Sequence, residues 1–284
     1  MKKIVFVSGK GGTGKSTLVS SLCFIVENKM IADCDVDAPN MHILLNGELL
    51  KQKDYYGAKE AVIDSDACIK CGLCKDTCRF SAINDNFEII PMKCEGCGAC
   101  VLVCPEAAIK LENVKIGKTF VTKTKRGTFS HALLDIGAEG SGKLVTEVRK
   151  NADNSAKNEK WLLIDGSPGI GCVVIASITG TDAVVVVSEP TMSGISDLKR
   201  ILGVSLHFGI PASVCINKFD LNKEMSLEIE KYCKENNFPV IGKIPFEPKI
   251  IDALKDFKTP VEAGIDNVTD EIKTIWNRIK SMFD

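Results

Sequence analysis

Eight of the thirteen cysteines lie between residues 68 and 104, in two runs with the spacing Cys-x2-Cys-x2-Cys-x3-Cys. The first run is Cys68, Cys71, Cys74 and Cys78, and the second is Cys94, Cys97, Cys100 and Cys104. Thiolates at such short intervals bind metals, because a tight loop turns successive sulfurs towards one centre. Eight of them favour iron–sulfur clusters over zinc, which needs only four, and over disulfides, which are rare in reducing compartments.

A glycine-rich segment, Gly9-x4-Gly14-Lys15-Ser16, has the composition of a phosphate-binding loop. Glycines let backbone N–H groups converge on phosphate oxygens, the lysine neutralises the outer phosphates, and the serine hydroxyl is a Mg²⁺ ligand. An apolar run at residues 2–8 has the pattern of a buried strand before the loop, and a helix pattern follows it. We therefore expect nucleotide binding by the whole loop: Gly9, Lys10, Gly11, Gly12, Thr13, Gly14, Lys15, Ser16 and Thr17.

A second segment, Gly137-x4-Gly142-Lys143, satisfies only the first part of this pattern. Leu144 stands where a hydroxyl would be needed for Mg²⁺, and the residues before Gly137 lack the pattern of a clear buried strand. We predict a loop that caps a helix and not a second nucleotide site.

Short apolar runs alternate with helical patterns outside the cysteine-rich region, which predicts an α/β fold with a doubly wound, mainly parallel sheet. The predicted strands are residues 2–8, 30–33, 161–165, 182–188, 212–217 and 239–245, and the predicted helices are 141–158, 193–207 and 222–236. A hairpin turning at Arg126 and Gly127 is expected over residues 117–136. The alternation is lost between residues 46 and 118.

The last segment, residues 268–283, places an apolar stripe on one helical face: Val268, Ile272, Ile275, Ile279 and Met282. Such a face either packs on its own domain or lies on a membrane surface, and we favour the packed helix. No membrane-spanning run is visible, and the apolar run at residues 4–7 is too short for a signal peptide, so we expect a cytoplasmic protein. The net charge of −1 does not indicate general binding of nucleic acid by positive charge.

The sequence KGGTGKST at residues 10–17 resembles the phosphate loop of the MinD/ParA family, which includes the nitrogenase iron protein and the Mrp-type iron–sulfur carriers. The resemblance implies a P-loop ATPase and a nucleotide-dependent homodimer, in which Lys10 acts on the nucleotide of the opposite subunit. Residues 33–40 and 162–171 are similar to the switch segments of that family. By the same resemblance, Asp35 would activate the attacking water, and Ser16, Asp33 and Asp165 would hold Mg²⁺.

Residues 217–220, NKFD, close a predicted strand and also match the guanine-reading motif of GTPases. The resemblance to the MinD/ParA family instead implies that Asn217 contacts adenine, assisted by the stretch around Pro245. ATP is therefore favoured over GTP as the nucleotide.

The two cysteine runs are an internal duplication with a period of 26 residues, in which Gly72 matches Gly98 and SAI at 81–83 matches AAI at 107–109. The duplication resembles the bacterial two-cluster ferredoxin, which implies two [4Fe–4S] clusters that each take three cysteines from one run and the fourth from the other. The two implied ligand sets are Cys68, Cys71, Cys74 and Cys104 for one cluster, and Cys94, Cys97, Cys100 and Cys78 for the other. Arg79 departs from the ferredoxin pattern, since proline usually follows this cysteine. Cys172, after the second switch segment, is predicted to be a small buried thiol.

Together these features predict a P-loop NTPase domain formed by residues 1–57 and 113–284, interrupted at 58–112 by an α+β insert of bacterial ferredoxin type. The favoured function is hydrolysis of ATP to ADP and phosphate by a dimer that positions its clusters for electron transfer to a protein partner. An ATP-dependent carrier or assembly factor for iron–sulfur or other metalloclusters is the alternative. A purely structural role of the clusters also stays open.

Overall fold

The computed structural model describes residues 1–284 and divides them into two compact units. Unit 1 consists of residues 1–53 and 118–284, and unit 2 of residues 54–117, a span that includes the predicted insert. The strands are β1 (Lys2–Ser8), β2 (Lys29–Asp33), β3 (Gly47–Ile63), β4 (Ile109–Thr124), β5 (Gly127–Leu134), β6 (Trp161–Pro168), β7 (Ala183–Ser188), β8 (Ala212–Asn217) and β9 (Val240–Ile244). The helices are α1 (Lys15–Ile25), α2 (Met41–Leu44), α3 (Leu73–Thr77), α4 (Ala99–Val103), α5 (Gly142–Ser155), α6 (Cys172–Ile178), α7 (Met192–His207), α8 (Lys223–Glu235), α9 (Lys249–Lys255) and α10 (Asp266–Ser281).

The strands form one sheet in the order β3-β4-β5-β2-β6-β1-β7-β8-β9. From β5 to β9 the neighbouring strands pair in parallel. Strands β2, β7 and β8 are buried along their whole length, as expected when helices cover both faces of a parallel sheet. The predicted α/β fold with a mainly parallel, doubly wound sheet is confirmed.

Parallel pairing brings the carboxyl ends of the central strands to one edge of the sheet. Asp33 of β2 and Asp165 of β6 are direct partners in the ladder, and Phe6 of β1 is the neighbour of Asp165 on the other side. The loop between β1 and α1 begins at the same edge. This edge is where ligands bind in open α/β sheets, because the strand ends and the helix starts meet there.

The sequence did not predict β3, which has 17 residues, or the first half of β4, which has 16. The predicted hairpin is present, since β4 ends at Thr124 and β5 begins at Gly127. Strand β3 lies at the edge of the sheet and is almost entirely exposed, so it has neither an apolar run nor a regular alternation. The loss of the regular alternation after residue 46 therefore does not mark an absence of strands, because β3 and part of β4 lie in this span.

Helix α10 packs on unit 1 through its apolar face, as predicted. Its buried side chains are Val268, Ile272, Ile275, Trp276 and Ile279. Gly242 of β9 permits this contact, because a Cβ there would lie 2.2 Å from Cγ1 of Ile275. Trp276 meets Trp161 edge to face, with ring centroids 5.0 Å apart. None of the helices combines the length and the hydrophobicity that a membrane span requires.

The duplication in unit 2 is visible in its backbone. Helices α3 and α4 each have five residues, and each begins after a left-handed glycine, Gly72 with φ 87° and Gly98 with φ 79°. Ser81 and Ala107, which are equivalent in the duplication, both have φ 50° although neither is glycine. Two copies of one local structure therefore follow from the two copies of the cysteine spacing.

Ile275→Ala is expected to lower the free energy of unfolding of unit 1 by about 2–5 kcal/mol, because it deletes fully buried methylene and methyl groups. The two tryptophans, Trp161 and Trp276, both lie in unit 1, so urea unfolding followed by tryptophan fluorescence reports on this unit. Lys273→Ala, on the exposed face of α10, is the matched control and should change the value by less than about 0.5 kcal/mol. Superimposable curves for Ile275→Ala and the parent chain would contradict the packing of α10.

Candidate functional site

The predicted phosphate loop joins the end of β1 to the start of α1. Gly12 and Gly14 have φ values of 80° and 85°, a left-handed conformation that glycine adopts without strain. At Gly14 a Cβ would lie 2.2 Å from the Asn217 side-chain nitrogen, which donates a 2.7 Å hydrogen bond to the Thr13 carbonyl oxygen. Side chains at Gly11 or Gly12 would meet open space. Glycine is therefore required at 14 both for the turn and for the close approach of Asn217.

Lys15 begins α1 and is 4% exposed. Its Nζ lies 2.7 Å from Oδ1 of Asp165 and 3.3 Å from Oδ2 of Asp35. Burial opposes the ammonium charge, but the Asp165 and Asp35 carboxylates outweigh burial and raise the pKa of Lys15 above its ordinary value. The side chain is thus held as a cation in a buried ion cluster, which we define as Lys15, Asp33, Asp35 and Asp165.

Asp33 ends β2 and orders the first predicted switch segment, residues 33–40. Its Oδ1 accepts a 3.1 Å hydrogen bond from the Asp35 N–H, and its Oδ2 accepts one of 3.3 Å from the Met41 N–H. Burial, followed by the neighbouring Asp165 charge, raises the pKa of Asp33 well above its usual range. Burial also raises the pKa of Asp35. Three carboxylates beside a single lysine make the site favourable for a further cation.

Three buried oxygens at this site have no hydrogen-bond partner: Asp165 Oδ2, Asp35 Oδ1 and Thr13 Oγ1. A buried polar atom without a partner is costly, so these atoms are expected contacts of a ligand. Carboxylate and hydroxyl oxygens suit Mg²⁺, and the Ser16 hydroxyl lies 3.3 Å from Lys15 Nζ. The residues present therefore fit a Mg²⁺ ion next to the phosphates of a nucleotide.

A cavity of about 200 Å³ lies beside the phosphate loop. Apolar side chains of α9 and α10 form part of its lining. The rest includes three residues of the predicted phosphate loop, Gly12, Gly14 and Thr17, and the two predicted base-site residues, Asn217 and Pro245. The structure thus brings both predicted sets together at one cavity. Asp220, the last residue of NKFD, accepts a 2.7 Å hydrogen bond from the Phe246 N–H, so one of its oxygens orders the loop after Pro245.

Lys10 is half-exposed, and its Nζ lies 3.4 Å from Oε2 of Glu189, the residue that follows β7. The other Glu189 oxygen lies 2.5 Å from Nζ of Lys218. No sequence motif indicates Glu189, because its two lysine partners lie far from it or in another element of the chain. The only available signal was its place immediately after a predicted buried strand.

The second glycine-rich loop, residues 137–142, follows β5 and leads into α5. Ser141 Oγ accepts a 3.3 Å hydrogen bond from the Leu144 N–H, so the loop caps a helix as predicted. The expectation that no clear strand precedes it is wrong, since β5 is buried at its centre and pairs with β2. The loop also meets the first switch segment, because the Gly140 N–H donates a 2.8 Å hydrogen bond to Oδ1 of Asp37. A Cβ at Gly140 would lie 2.5 Å from that oxygen.

The eight cysteines of unit 2 line two cavities. One is lined by Cys68, Cys71, Cys74 and Cys104, and the other by Cys78, Cys94, Cys97 and Cys100. Each cavity therefore takes three cysteines from one run and one from the other. No group of three or more His, Cys, Asp or Glu side chains is arranged to hold a single metal ion.

Backbone N–H groups point towards cysteine sulfurs at equivalent positions of the duplication. The Ala82 nitrogen lies 3.4 Å from Cys78 Sγ, and the Ala108 nitrogen lies 3.3 Å from Cys104 Sγ. Donors of this kind stabilise the negative charge of a thiolate. The surroundings of both cavities therefore suit anionic sulfur ligands.

Cys172 is exposed at the start of α6, so the prediction of a buried thiol is wrong. The helix buries Val174, Ser177 and Ile178 and leaves its first residue at the surface. The segment CVVIASI is almost uniformly apolar, and its composition does not reveal which side faces the core.

The sequence matches the CbiA family, described as the CobQ/CobB/MinD/ParA nucleotide binding domain, over residues 4–261. The chain belongs to this family. It is 34% identical over 289 residues to Uncharacterized protein MJ0578 of Methanocaldococcus jannaschii, covering 95% of this chain and 96% of that protein. Its fold is similar to that of the septum site-determining protein MinD of Pyrococcus horikoshii complexed with Mg-ADP, with a TM-score of 0.61, 16% identity and coverage of 99% of this chain and 96% of that one.

A smaller part of the chain has a different relative. Pyruvate synthase subunit PorD of Methanothermobacter marburgensis is 42% identical over 53 residues, which is 19% of this chain and 65% of that protein. Membership of the MinD/ParA group, inferred from the phosphate loop, is therefore confirmed over most of the chain. A ferredoxin of Pyrobaculum islandicum is also similar, at 40% identity over 55 residues, which is 18% of this chain and 51% of that protein.

Lys15→Met is expected to lower the free energy of unfolding of unit 1 by about 3–5 kcal/mol at neutral pH, because it leaves the buried Asp165 carboxylate without its counter-ion. This loss should shrink as the pH falls. Burial raises the pKa of Asp33 and Asp35 and the Lys15 charge lowers it, so removing Lys15 raises both pKa values further. The folded variant therefore gains more stability by protonation than the parent chain as the pH decreases. Urea unfolding followed by tryptophan fluorescence, at neutral and acidic pH without nucleotide, measures both effects.

Lys10→Met is the matched control for this experiment. It removes a lysine of the same loop whose side chain is half-exposed and paired with one carboxylate, so its cost should be about 1 kcal/mol at most. Equal losses for the two variants, or a Lys15→Met loss that does not depend on pH, would contradict the buried ion cluster.

Proposed function

We propose that the chain is an ATP-hydrolysing iron–sulfur protein that couples its nucleotide state to two [4Fe–4S] clusters and transfers electrons to a protein partner. The observation that carries this proposal is the grouping of the cysteines around the two cavities of unit 2. Each cavity combines both runs, which is the ligand pattern of a two-cluster ferredoxin and is not needed for separate zinc sites. Membership of a nucleotide-binding family supplies the second half of the proposal.

The proposed roles at the nucleotide site follow from the buried ion cluster. Lys15 exchanges its carboxylate partners for the outer phosphates, which carry more negative charge. Ser16, Asp33 and Asp165 would hold Mg²⁺, which would neutralise charge on the phosphates. Asp35, at the opening of the first switch segment, orients the attacking water, and the products are ADP and phosphate.

The cavity beside the loop is the proposed site of the base. Asn217 and Pro245 line it, in agreement with adenine binding by this family. Asp220, which would read guanine in a GTPase, has one oxygen engaged by the Phe246 N–H. ATP is therefore proposed in preference to GTP, and competition of the two nucleotides for binding tests the choice.

A nucleotide-dependent homodimer is part of the proposal. Several apolar side chains are exposed in two loops and two helices that follow the carboxyl ends of the central strands: Ile136, Ile170, Ile175 and Met192. Exposed apolar groups beside functional loops mark surfaces that bind other proteins. In such a dimer, the half-exposed Lys10 would stabilise charge on the nucleotide of the opposite subunit.

The position of the cysteines supports exchange with a partner. Cys71 in one cavity and Cys97 in the other are exposed, so neither proposed cluster would be fully enclosed by protein. Bound clusters would supply one-electron chemistry, and an exposed ligand shortens the path to an acceptor. The same exposure favours the second candidate function, ATP-dependent delivery of a cluster. A reducing, cytoplasmic setting is proposed because it keeps thiols available as ligands.

Anaerobically reconstituted protein is expected to hold about eight iron atoms per chain, four for each cluster. Cys100→Ser and Cys104→Ser belong to the same run but line different cavities, so each should remove a different cluster. The EPR spectra of the two reduced variants should therefore differ. Cys172→Ser, outside both cavities, is the control and should retain all the iron. Identical residual spectra for Cys100→Ser and Cys104→Ser would contradict the crossed grouping.

Electron transfer and cluster delivery are expected to give opposite results in one experiment. Dithionite-reduced protein, freed of excess dithionite, is mixed with oxidised or iron-free bacterial ferredoxin and MgATP, and the two proteins are then separated and analysed by EPR and for iron content. Electron transfer predicts that the signal of the reduced cluster moves from the separated protein to the separated ferredoxin, and that the protein keeps about eight iron atoms. Movement of iron to the iron-free acceptor would instead establish delivery. Lys15→Ala, which should not bind nucleotide tightly, is the control for dependence on ATP.

A further inference from the structure

Glu189 pairs with two lysines, one within the phosphate loop and one that contacts it. Its Oε2 lies 3.4 Å from Lys10 Nζ, and its Oε1 lies 2.5 Å from Lys218 Nζ. Lys10 belongs to the loop, and Lys218 Nζ also donates a 3.4 Å hydrogen bond to the Gly12 carbonyl oxygen. One carboxylate thus connects two cations at the place where phosphates are proposed to bind.

The backbone around Glu189 fixes this carboxylate. The Thr191 N–H donates a 2.8 Å hydrogen bond to the Glu189 carbonyl oxygen. A Cβ at Gly194, in the first turn of α7, would lie 2.3 Å from the same oxygen, so the helix packs closely against it. The Glu189 side chain is only 12% exposed. The contact therefore differs from a pair of mobile surface charges.

Lys218 is held in an unusual conformation. Its φ of 54° is left-handed, which is uncommon for a residue with a side chain. The Asn217 side-chain oxygen accepts a 3.0 Å hydrogen bond from the Lys218 N–H and supports this turn. Strained backbone of this kind persists where the surrounding contacts require it, and here it accompanies the contacts of Lys218 with Glu189 and Gly12.

We infer that Glu189 is a positioning residue that holds Lys10 and Lys218 by charge and competes with nucleotide phosphates for them. The inference rests on the proposed binding of ATP. Phosphates carry more charge than one carboxylate, so ATP bound in the same chain draws Lys218 away from Glu189, and in the proposed dimer the ATP of the opposite subunit draws Lys10. Glu189 thereby keeps Lys10 paired until a triphosphate is present and lowers the affinity for ATP.

Glu189→Gln tests the competition, because glutamine keeps the shape of the side chain and removes its charge. The dissociation constant for MgATP, measured by titration calorimetry, should decrease about two- to five-fold, the range expected for a partly exposed ion pair. In the Lys10→Met background the same substitution should give a smaller decrease, since one of the two competing contacts is already absent. Glu189→Asp keeps the charge on a shorter side chain. Its dissociation constant for MgATP should lie between those of the parent chain and Glu189→Gln.

Asp197→Asn controls for a general effect of charge. It removes an equal charge and leaves both lysines paired with Glu189. Asp197 is also close to the phosphate loop, because a Cβ at Gly9 would lie 2.0 Å from the Asp197 Cβ. Unchanged or weaker ATP binding by Glu189→Gln, or equal tightening with and without Lys10, would overturn the inference. Failure of the parent chain to bind MgATP would overturn the proposed function as well, so the two failures are distinguishable.

Discussion

The nucleotide edge of unit 1 depends on one buried charge, the ammonium group of Lys15. Parallel pairing places Asp33 and Asp165 side by side at the strand ends, and Asp35 follows two residues later. Carboxylates so close together in the interior repel one another unless a cation lies between them. Lys15 provides that cation from the first turn of α1, so the fold and the chemistry of this edge have the same electrostatic origin.

The stability of unit 2 has a different basis, because its apolar core is small. Four buried residues form this core: Ala61, Cys74, Ile83 and Ile109. A module of this size gains only marginal stability from hydrophobic burial. Five of its eight run cysteines belong to or pack against this core, so most of the proposed metal ligands are also its packing residues. Ser81 and Ala107, one in each copy, are both left-handed, so the tertiary structure of unit 2 overrides the local backbone preference at these positions.

The sequence predicted the central strands and the phosphate loop because their residues carry local signals, namely apolar runs and glycines beside a lysine. It could not predict β3, whose residues are exposed and polar, or the surface position of Cys172, since a uniformly apolar helix hides its orientation. Glu189 and the contact of Gly140 with Asp37 depend on tertiary structure alone. The grouping of the cysteines required a family resemblance, because spacing by itself does not pair one run with the other.

The contact of Gly140 with Asp37 also joins the two parts of unit 1 that flank unit 2 in the sequence. Residues 33–40 lead through α2 into β3, where the chain leaves unit 1, and the loop that follows β5 comes after the chain has returned to it. The hydrogen bond from the Gly140 N–H to Oδ1 of Asp37 therefore connects the segment before unit 2 with the segment after it, within unit 1. A rearrangement of residues 33–40 would have to break this contact or carry it along, so the loop before α5 would respond to it.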